Sequence, residues 1–237
     1  MKLLVLAGGF GTRLKTAVPD LPKALAPVGE VPFLQIQIEH WIKQGIQDFT
    51  FLLHHQSDLI VSYLKKEKNG ILKNCDVSWV IEPTPMNTGG AVAYAVREMN
   101  LTGNFLLTNA DTWLGIGIQE IMLSSPPSIA VVSLKVANRY GQVNFDSERR
   151  VIEFTEKSQQ NLDGWINAGL YLLDANLFNN WNGLPYSLER NFFKSLIDIK
   201  NLKAIPLQTD FIDIGIPTDY YEFCRRFKSE FGGTVCN

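Results

Sequence analysis

The sequence predicts an α/β fold in which helices flank a mixed β-sheet, and three observations support this prediction. Short apolar runs alternate with helical patterns through the first 109 residues, whereas the second half has strand-like runs with few helices between them. The composition is that of an ordinary globular protein, with 46% hydrophobic residues, 18 Gly and 11 Pro among 237 residues. Collagen-like, low-complexity and disordered chains are therefore excluded, and the length fits one large domain or at most two small ones.

The first half alternates strands with helices. A fully apolar run at 3–6 predicts a strand buried on both faces. Apolar residues then recur at helical spacing over 33–44, and Gly45 ends that pattern. The other elements predicted here are strands at 49–53, 77–81 and 105–108, a helix at 57–66 with Ser57 as N-cap, and a helix at 88–99. This order is typical of a doubly wound, Rossmann-like sheet.

The second half is richer in strands. Strands are predicted at 129–136, 142–145, 151–155 and 166–173, with antiparallel pairing because few helices separate them. Helices are predicted at 175–181, 188–197 and 217–228. The chain has neither an internal repeat nor a long linker. We therefore expect a single domain over 1–237, with one half ending near residue 112 and the strand-rich half beginning near residue 113.

Charge and cysteine content argue against several kinds of protein. The net charge is −2 and no run of Lys or Arg occurs, unlike proteins that bind nucleic acid or anionic membranes non-specifically. The three cysteines form no Cys-x-x-Cys pair, as expected of reduced thiols rather than a disulfide scaffold or structural zinc site. No segment approaches the roughly 18–20 apolar residues of a membrane span. We expect a cytoplasmic protein with no nucleic-acid or membrane partner; a homo-oligomer stays open.

A glycine-rich segment, LAGGFGTRL at residues 6–14, directly follows the first predicted strand. Glycines at this place let backbone N–H groups approach an anion, while Arg13 and Lys23 supply cations for phosphate oxygens. A tight turn beside a surface arginine is the alternative. The Walker pattern is absent because no Gly-Lys-Ser/Thr follows, and the dinucleotide pattern fails because Leu14 replaces its third glycine.

Two aspartates are candidate metal ligands. Asp111 follows the strand predicted at 105–108, and Asp213 lies between Ile212 and Ile214, so its side chain points away from these apolar neighbours. A lone carboxylate in such a strand needs a cation or an arginine partner. A helix N-cap or an Asx turn is the alternative for Asp111, and the pairing with Asp213 favours metal binding.

Taken in order along the chain, these motifs resemble the signature of the sugar-1-phosphate nucleotidylyltransferases. The matching segments are AGGFGTR at 7–13 with Pro22-Lys23, TGGA at 88–91, Asn109-Ala110-Asp111, Glu156-Lys157, Asn167-Ala168-Gly169 and DIGIP at 213–217. Ala24 stands where this family often has Pro, and Ala110 stands where it often has Gly. Neither difference removes a ligand or a charge. Residues 20–23, 32–34, 186–189 and 211–217 look most like the small D-glycero-α-D-manno-heptose 1-phosphate guanylyltransferases.

The resemblance implies a nucleotidyltransferase fold of the GT-A-like type, with a nucleotide-binding first half and a sugar-binding second half. It implies transfer from an NTP, with GTP favoured, to a heptose or hexose 1-phosphate. Implied catalytic residues are Arg13 and Lys23, and Asp111 and Asp213 are the implied ligands of Mg²⁺. Implied nucleotide-binding residues are Leu6, Ala7, Gly8, Gly9, Gly11, Thr12, Arg13, Lys23, Glu82, Thr88 and Gly89. Implied sugar-binding residues are Asn109, Gly141, Glu156, Lys157 and Asn167.

Three alternatives stay open at this point. The chain could be a uridylyltransferase or another nucleotidyltransferase of the same family. A non-catalytic paralogue that binds a sugar nucleotide is expected to lack Lys23 or a metal carboxylate, and all of them are present. A glycosyltransferase usually carries Asp-x-Asp, whereas Trp113 stands two residues after Asp111. His54-His55 has no metal-ligand partner at suitable spacing and is interpreted as structural.

Overall fold

The structure, a computed structural model, describes residues 1–135, 137, 139–155 and 163–231. The strands in these ranges are β1 (Lys2–Leu6), β2 (Pro27–Val28), β3 (Val31–Pro32), β4 (Asp48–Leu53), β5 (Asp76–Ile81), β6 (Asn104–Asn109), β7 (Thr112–Leu114), β8 (Ser128–Leu134), β9 (Gln142–Phe145), β10 (Val151–Thr155), β11 (Gly164–Asp174), β12 (Lys203–Leu207) and β13 (Phe211–Asp213). The α-helices are α1 (Phe33–Lys43), α2 (Ser57–Glu67), α3 (Asn87–Glu98), α4 (Ile118–Met122), α5 (Phe193–Asp198) and α6 (Pro217–Phe231). Across the described ranges, no helix combines the length and apolar character that crossing a membrane requires.

The chain forms two compact units, each assembled from segments that are discontinuous in sequence. The N-terminal unit comprises residues 2–83, 109–113 and 211–231. The central unit comprises residues 84–108 and 114–210. The prediction of a single domain divided near residue 112 stays a prediction.

Three parallel strands in the order β1-β4-β5 form the centre of the N-terminal unit. Leu3 pairs with Phe49, and Phe49 pairs in turn with Val77. Leu3 and Phe49 are fully buried, as is expected of strands that are covered on both faces. The α1 helix ends before Gly45, whose φ of 94° lies in the left-handed region that favours glycine. The predicted alternation of strands and helices is therefore present in this unit.

An apolar cluster packs the end of the glycine-rich segment and the residues after it against the chain from β13 to α6. It includes Leu14 and Val18 from the first group, and Ile212, Ile214 and Phe223 from the second. Leu14 is 1% exposed and Ile214 is fully buried, so both groups are fixed by the same core. The cluster thereby brings Arg13 and Asp213, which are neighbours of its members in the chain, to one part of the N-terminal unit.

Antiparallel pairing dominates the central unit, as the sequence predicts. The eleven-residue strand β11 pairs antiparallel with β6, β8 and β9, and β9 pairs with β10 in the same way. Strand β12 pairs parallel with β8 and was not predicted. Its five residues include Pro206, and proline is a signal against a regular strand.

Three predicted details of the helices are wrong. Ser57 is the first helical residue rather than the N-cap, which is Gln56 in a left-handed conformation. The helix predicted at 175–181 is only a 3₁₀ turn over Ala175–Phe178. The helix predicted at 188–197 is a π-helical turn, Leu188–Phe192, followed by α5.

Candidate active site

The glycine-rich segment begins with a close approach between backbone chains. A Cβ atom on Gly8 would lie 2.9 Å from the backbone nitrogen of His54 and 3.1 Å from Oε1 of Glu82. The first of these distances is shorter than a real side chain tolerates, so Gly8 is required for the segment to lie this close to the ends of β4 and β5. The carbonyl of Gly8 accepts a hydrogen bond from the His55 amide at 3.3 Å. This packing puts the buried Glu82 beside the glycine-rich segment.

The next two glycines have different surroundings. Gly11 adopts φ of 64°, and a Cβ atom there would lie 3.0 Å from Cγ of Lys23, so the stem of Lys23 packs on this turn. A Cβ atom on Gly9 would meet no atom within 4 Å. Between them, the half-exposed ring of Phe10 packs against both histidine rings, with centroids 5.1 Å from His55 and 5.8 Å from His54. This packing fits the structural interpretation of the two histidines.

Lys23 and Asp111 form an ion pair, with Nζ 2.5 Å from Oδ2. The side chains are partly buried, which weakens solvent screening of the attraction. Two backbone bonds hold the carboxylate's end of the pair: the Ala110 amide donates to the Leu6 carbonyl at 3.0 Å, and the Ile214 amide donates to the Asp111 carbonyl at 2.9 Å. The structure thus joins residues that are 88 positions apart in the chain.

A third bond near Asp111 comes from a residue that the sequence analysis missed. Gln37 lies in α1, is 1% exposed, and donates from Nε2 to the carbonyl of Thr112 at 2.8 Å. Thr112 directly follows Asp111, so this bond fixes the peptide next to the carboxylate. The available signal was a glutamine between Ile36 and Ile38, since a buried amide needs a specific partner.

Asp213 lies in an environment where its charge is partly disfavoured. Burial, and second the carboxylate of Asp111, raise the pKa of Asp213 above its ordinary value. A hydrogen bond from the Gly215 amide to Oδ1, at 2.8 Å, and the charges of Lys23 and Arg13 act in the opposite direction. Asp111, Asp213, Lys23 and Arg13 therefore form one electrostatic group inside the N-terminal unit.

The two aspartates fit a divalent cation such as Mg²⁺. Carboxylate oxygens are the protein ligands that Mg²⁺ prefers, and their mutual repulsion is what a bound cation would relieve. No group of three or more His, Cys, Asp or Glu side chains suited to a metal occurs among the residues that the structure describes. One or two carboxylates that are completed by substrate phosphates are the usual Mg²⁺ set, so the pair is sufficient for that arrangement.

The predicted nucleotide-binding residues Thr88 and Gly89 lie in the first turn of α3 in the central unit, where their polar groups are bonded within the protein. The amides of Gly89 and Gly90 donate to the Tyr186 carbonyl at 2.9 and 3.1 Å. The Thr88 hydroxyl donates to Oε2 of Glu189 at 3.1 Å. These donors are therefore engaged in holding the first turn of α3, which limits how they could contact a base directly.

Two of the predicted sugar-binding residues, Gly141 and Asn167, are brought together in the central unit. The Asn167 amide donates to the Gly141 carbonyl at 3.2 Å. The side chain of Asn167 donates to the Tyr171 hydroxyl at 2.8 Å and accepts from the Gly169 amide at 2.9 Å. Gly169 adopts φ of 72° where the pairing of β11 with β8 shifts register. The Asn167 side chain is therefore held by a bulge in β11.

The remaining candidates lie at other places. Asn109 ends β6 and belongs to the N-terminal unit, as do Leu6 and Thr12. Glu156 and Lys157 lie outside the described residues.

Comparison with known proteins identifies the family. The profile of the family described as nucleotidyl transferase matches residues 2–230. The chain belongs to the nucleotidyl transferase family. This finding confirms the family that was predicted from the order of the motifs.

Two proteins that are similar over nearly their full length have the same name, and a solved structure of comparable coverage has the same fold. D-glycero-alpha-D-manno-heptose 1-phosphate guanylyltransferase of Campylobacter jejuni is 35% identical over 229 residues, which cover 94% of this chain and 98% of that protein. A protein of the same name from Aneurinibacillus thermoaerophilus is 30% identical over 226 residues, covering 93% and 95%. The crystal structure of HddC from Yersinia pseudotuberculosis complexed with GMP-PN has a TM-score of 0.83 at 31% identity, covering 96% of this chain and 99% of that chain. The predicted α/β nucleotidyltransferase fold is confirmed.

Proposed function

We propose that this chain transfers a guanylyl group from GTP to a sugar 1-phosphate and releases pyrophosphate. The acceptor is D-glycero-α-D-manno-heptose 1-phosphate or a hexose 1-phosphate. The observation that carries the proposal is the group of Lys23, Arg13, Asp111 and Asp213 beside the glycine-rich segment. Fixed cations and paired carboxylates suit a reaction in which negative charge moves between phosphates. The names of the two similar guanylyltransferases support the same choice.

The attacking group requires no general base from the protein. The second pKa of a phosphate monoester is about 6, so the sugar 1-phosphate is largely a dianion at pH 7. One of its oxygens attacks the α-phosphorus in line, and the bond from that phosphorus to the pyrophosphate oxygen breaks. The protein therefore contributes positioning and charge stabilisation rather than proton transfer.

Lys23 stabilises the negative charge at the reacting phosphates, and Arg13 stabilises the departing pyrophosphate. Lys23 is suited to this role because its ion pair with Asp111 and its packing on Gly11 orient the ammonium group. Space beside Gly9 lets the triphosphate approach the backbone. Mg²⁺, which Asp111 and Asp213 would hold, supplies charge neutralisation when it is bound.

Guanine is recognised next to Gly8. The N1–H and the 2-amino group of guanine require an acceptor. A Cβ atom placed on Gly8 would lie 3.1 Å from Oε1 of Glu82, so this carboxylate is directly beside Gly8. Glu82 is 8% exposed, so water competes little for it. Adenine lacks the 2-amino group and has the reverse pattern at position 6; each unpaired polar group costs about 1–3 kcal/mol. We expect GTP to be preferred over ATP about ten- to a hundredfold.

The sugar is contacted by Asn109, Gly141, Glu156, Lys157 and Asn167. The bond between Gly141 and Asn167 supports this assignment, because it keeps two of the five residues adjacent. The side-chain bonds of Asn167 to Tyr171 and Gly169 fix the orientation of its amide. An oriented amide binds a sugar hydroxyl at a lower entropic cost than a mobile one.

The test is a pyrophosphate-release assay with purified protein, four NTPs and a panel of sugar 1-phosphates, with Lys23→Ala as the inactive control. We expect the highest kcat/KM with GTP and the heptose 1-phosphate. UTP or CTP performing as well as GTP would contradict guanylyl transfer and leave nucleotidyl transfer standing. Pyrophosphate release with no pair of substrates would contradict catalysis and favour a regulatory sugar-nucleotide-binding protein.

A further inference from the structure

A carboxylate that has no role in the proposed chemistry accepts two hydroxyl hydrogen bonds in the central unit. Oε2 of Glu189 accepts from Ser187 Oγ at 2.7 Å and from Thr88 Oγ1 at 3.1 Å. The Thr88 hydroxyl also accepts from the Leu188 amide at 2.9 Å, so it is bonded on both sides. Thr88 is a candidate nucleotide-binding residue. Its orientation is therefore set by two residues that are about a hundred positions away in the chain.

The backbone next to Glu189 holds the same turn of α3. A Cβ atom on Gly89 would lie 2.4 Å from a ring carbon of Tyr186, so the ring lies directly on the glycine. The Tyr186 carbonyl accepts from the amides of Gly89 and Gly90. Burial raises the pKa of Tyr186 to about 12, which keeps its hydroxyl neutral. Residues 186–189 thus form a support for the first turn of α3.

We propose that Glu189 is a positioning residue that fixes Thr88 for the nucleotide. The inference rests on the proposed function, since Thr88 is one of its candidate nucleotide-binding residues. Glu189 acts as an acceptor for hydroxyl donors that would otherwise turn to other partners.

Two substitutions at Glu189 separate positioning from direct contact. Glu189→Leu keeps the approximate size and removes both acceptor oxygens, and we expect KM for GTP to rise about tenfold while KM for the sugar 1-phosphate stays within about twofold of wild type. Glu189→Gln keeps an amide oxygen that can accept from Thr88 and Ser187, and we expect both KM values within about threefold of wild type. Glu98 is an exposed carboxylate at the far end of α3, and Glu98→Leu is the control, which should leave both KM values unchanged.

A double-mutant cycle tests whether Glu189 acts through Thr88. Thr88→Val removes the hydroxyl and keeps the shape, so it breaks the same contact as Glu189→Leu. We expect the double variant to bind GTP no more weakly than the weaker single variant, because a contact can be lost only once. GTP affinity is measured by calorimetry without a sugar phosphate.

Several results would overturn the inference. Glu189→Leu with a lower melting temperature but an unchanged KM for GTP would mean a structural role only, and Glu189→Gln as impaired as Glu189→Leu would mean that the charge itself binds substrate. Additive losses with Thr88→Val would mean two independent effects. Wild-type protein that binds GTP but releases no pyrophosphate would contradict the proposed function alone, and the affinities would still decide the inference. Wild-type protein that binds no GTP would contradict both.

Discussion

Replacing Gln37 by leucine tests whether the peptide after Asp111 needs its buried hydrogen bond. Gln37 is 1% exposed and its Nε2 donates to the Thr112 carbonyl at 2.8 Å. Leucine has a similar volume, so the substitution leaves little cavity and removes mainly this one donor. The Thr112 carbonyl loses its side-chain partner, while the turn that carries Asp111 keeps its backbone bonds to Leu6 and Ile214.

The expected loss of stability follows from the loss of one buried hydrogen bond. A typical intramolecular hydrogen bond contributes about 0.5–1.5 kcal/mol, and a buried carbonyl left without any donor costs about 1–3 kcal/mol. We therefore expect the free energy of unfolding to fall by about 1–2 kcal/mol, which lowers Tm by about 2–8 °C for a protein of this size. Turnover responds more strongly, since a 1 Å shift of a reacting group can cost about a hundredfold in rate. We expect kcat to fall about tenfold or more.

The assay combines thermal unfolding with pyrophosphate release at saturating GTP and sugar 1-phosphate. Gln35→Leu is the matched control, because Gln35 lies on the same helix and its amide donates to Glu39 instead of to the site. That variant should keep the kcat of wild type. A Gln37→Leu protein with the expected loss of Tm but an unchanged kcat would refute the reasoning, because the bond would then stabilise the fold without positioning Asp111.

The other predictions concern the charged group itself and are measured with the same two assays. Asp111→Asn and Asp213→Asn should each lower turnover about a hundredfold or more, since they keep the shape of the side chain and remove the charge that would hold Mg²⁺. Burial and the carboxylate of Asp111 disfavour the charge of Asp213. In the absence of metal ions, Asp213→Asn should therefore leave the Tm unchanged or raise it. Near-wild-type activity at ordinary Mg²⁺ would exclude that carboxylate as a ligand. Lys23→Ala and Arg13→Ala should lower kcat about a hundredfold, and an increase in KM alone would indicate ground-state binding instead. Gly215→Ala would put a Cβ atom 2.7 Å from Oδ1 of Asp213 and 3.5 Å from the Arg13 guanidinium. We expect kcat/KM to fall about tenfold or more while the Tm changes little. Full activity of this variant would show that the Asp213 carboxylate can move aside without loss.

Local patterns were sufficient for most of the fold. The apolar run at 3–6, the helical spacing at 33–44 and the breaks at glycines correspond to β1, α1 and the turns that follow them. Short-range features of this kind depend on neighbours within one or two turns of the chain, which the sequence contains directly. Strand β12 was missed because Pro206 interrupts its pattern, and its pairing with β8 comes from a distant segment. The N-cap of α2 was assigned to Ser57 instead of Gln56, because Gln56 takes an unusual left-handed conformation.

For the candidate site, the sequence by itself determined which residues are candidates for the chemistry: glycines after a buried strand, two cations, and two aspartates at strand ends. Only the tertiary structure decided how they meet. The 2.5 Å ion pair of Lys23 with Asp111, the buried bond from Gln37 and the bond of Thr88 to Glu189 each join segments that lie from 75 to 101 positions apart. Contacts of this kind carry no local pattern, because a hydrogen bond requires donor and acceptor within about 3 Å, and the packing of the whole chain determines which distant groups come that close.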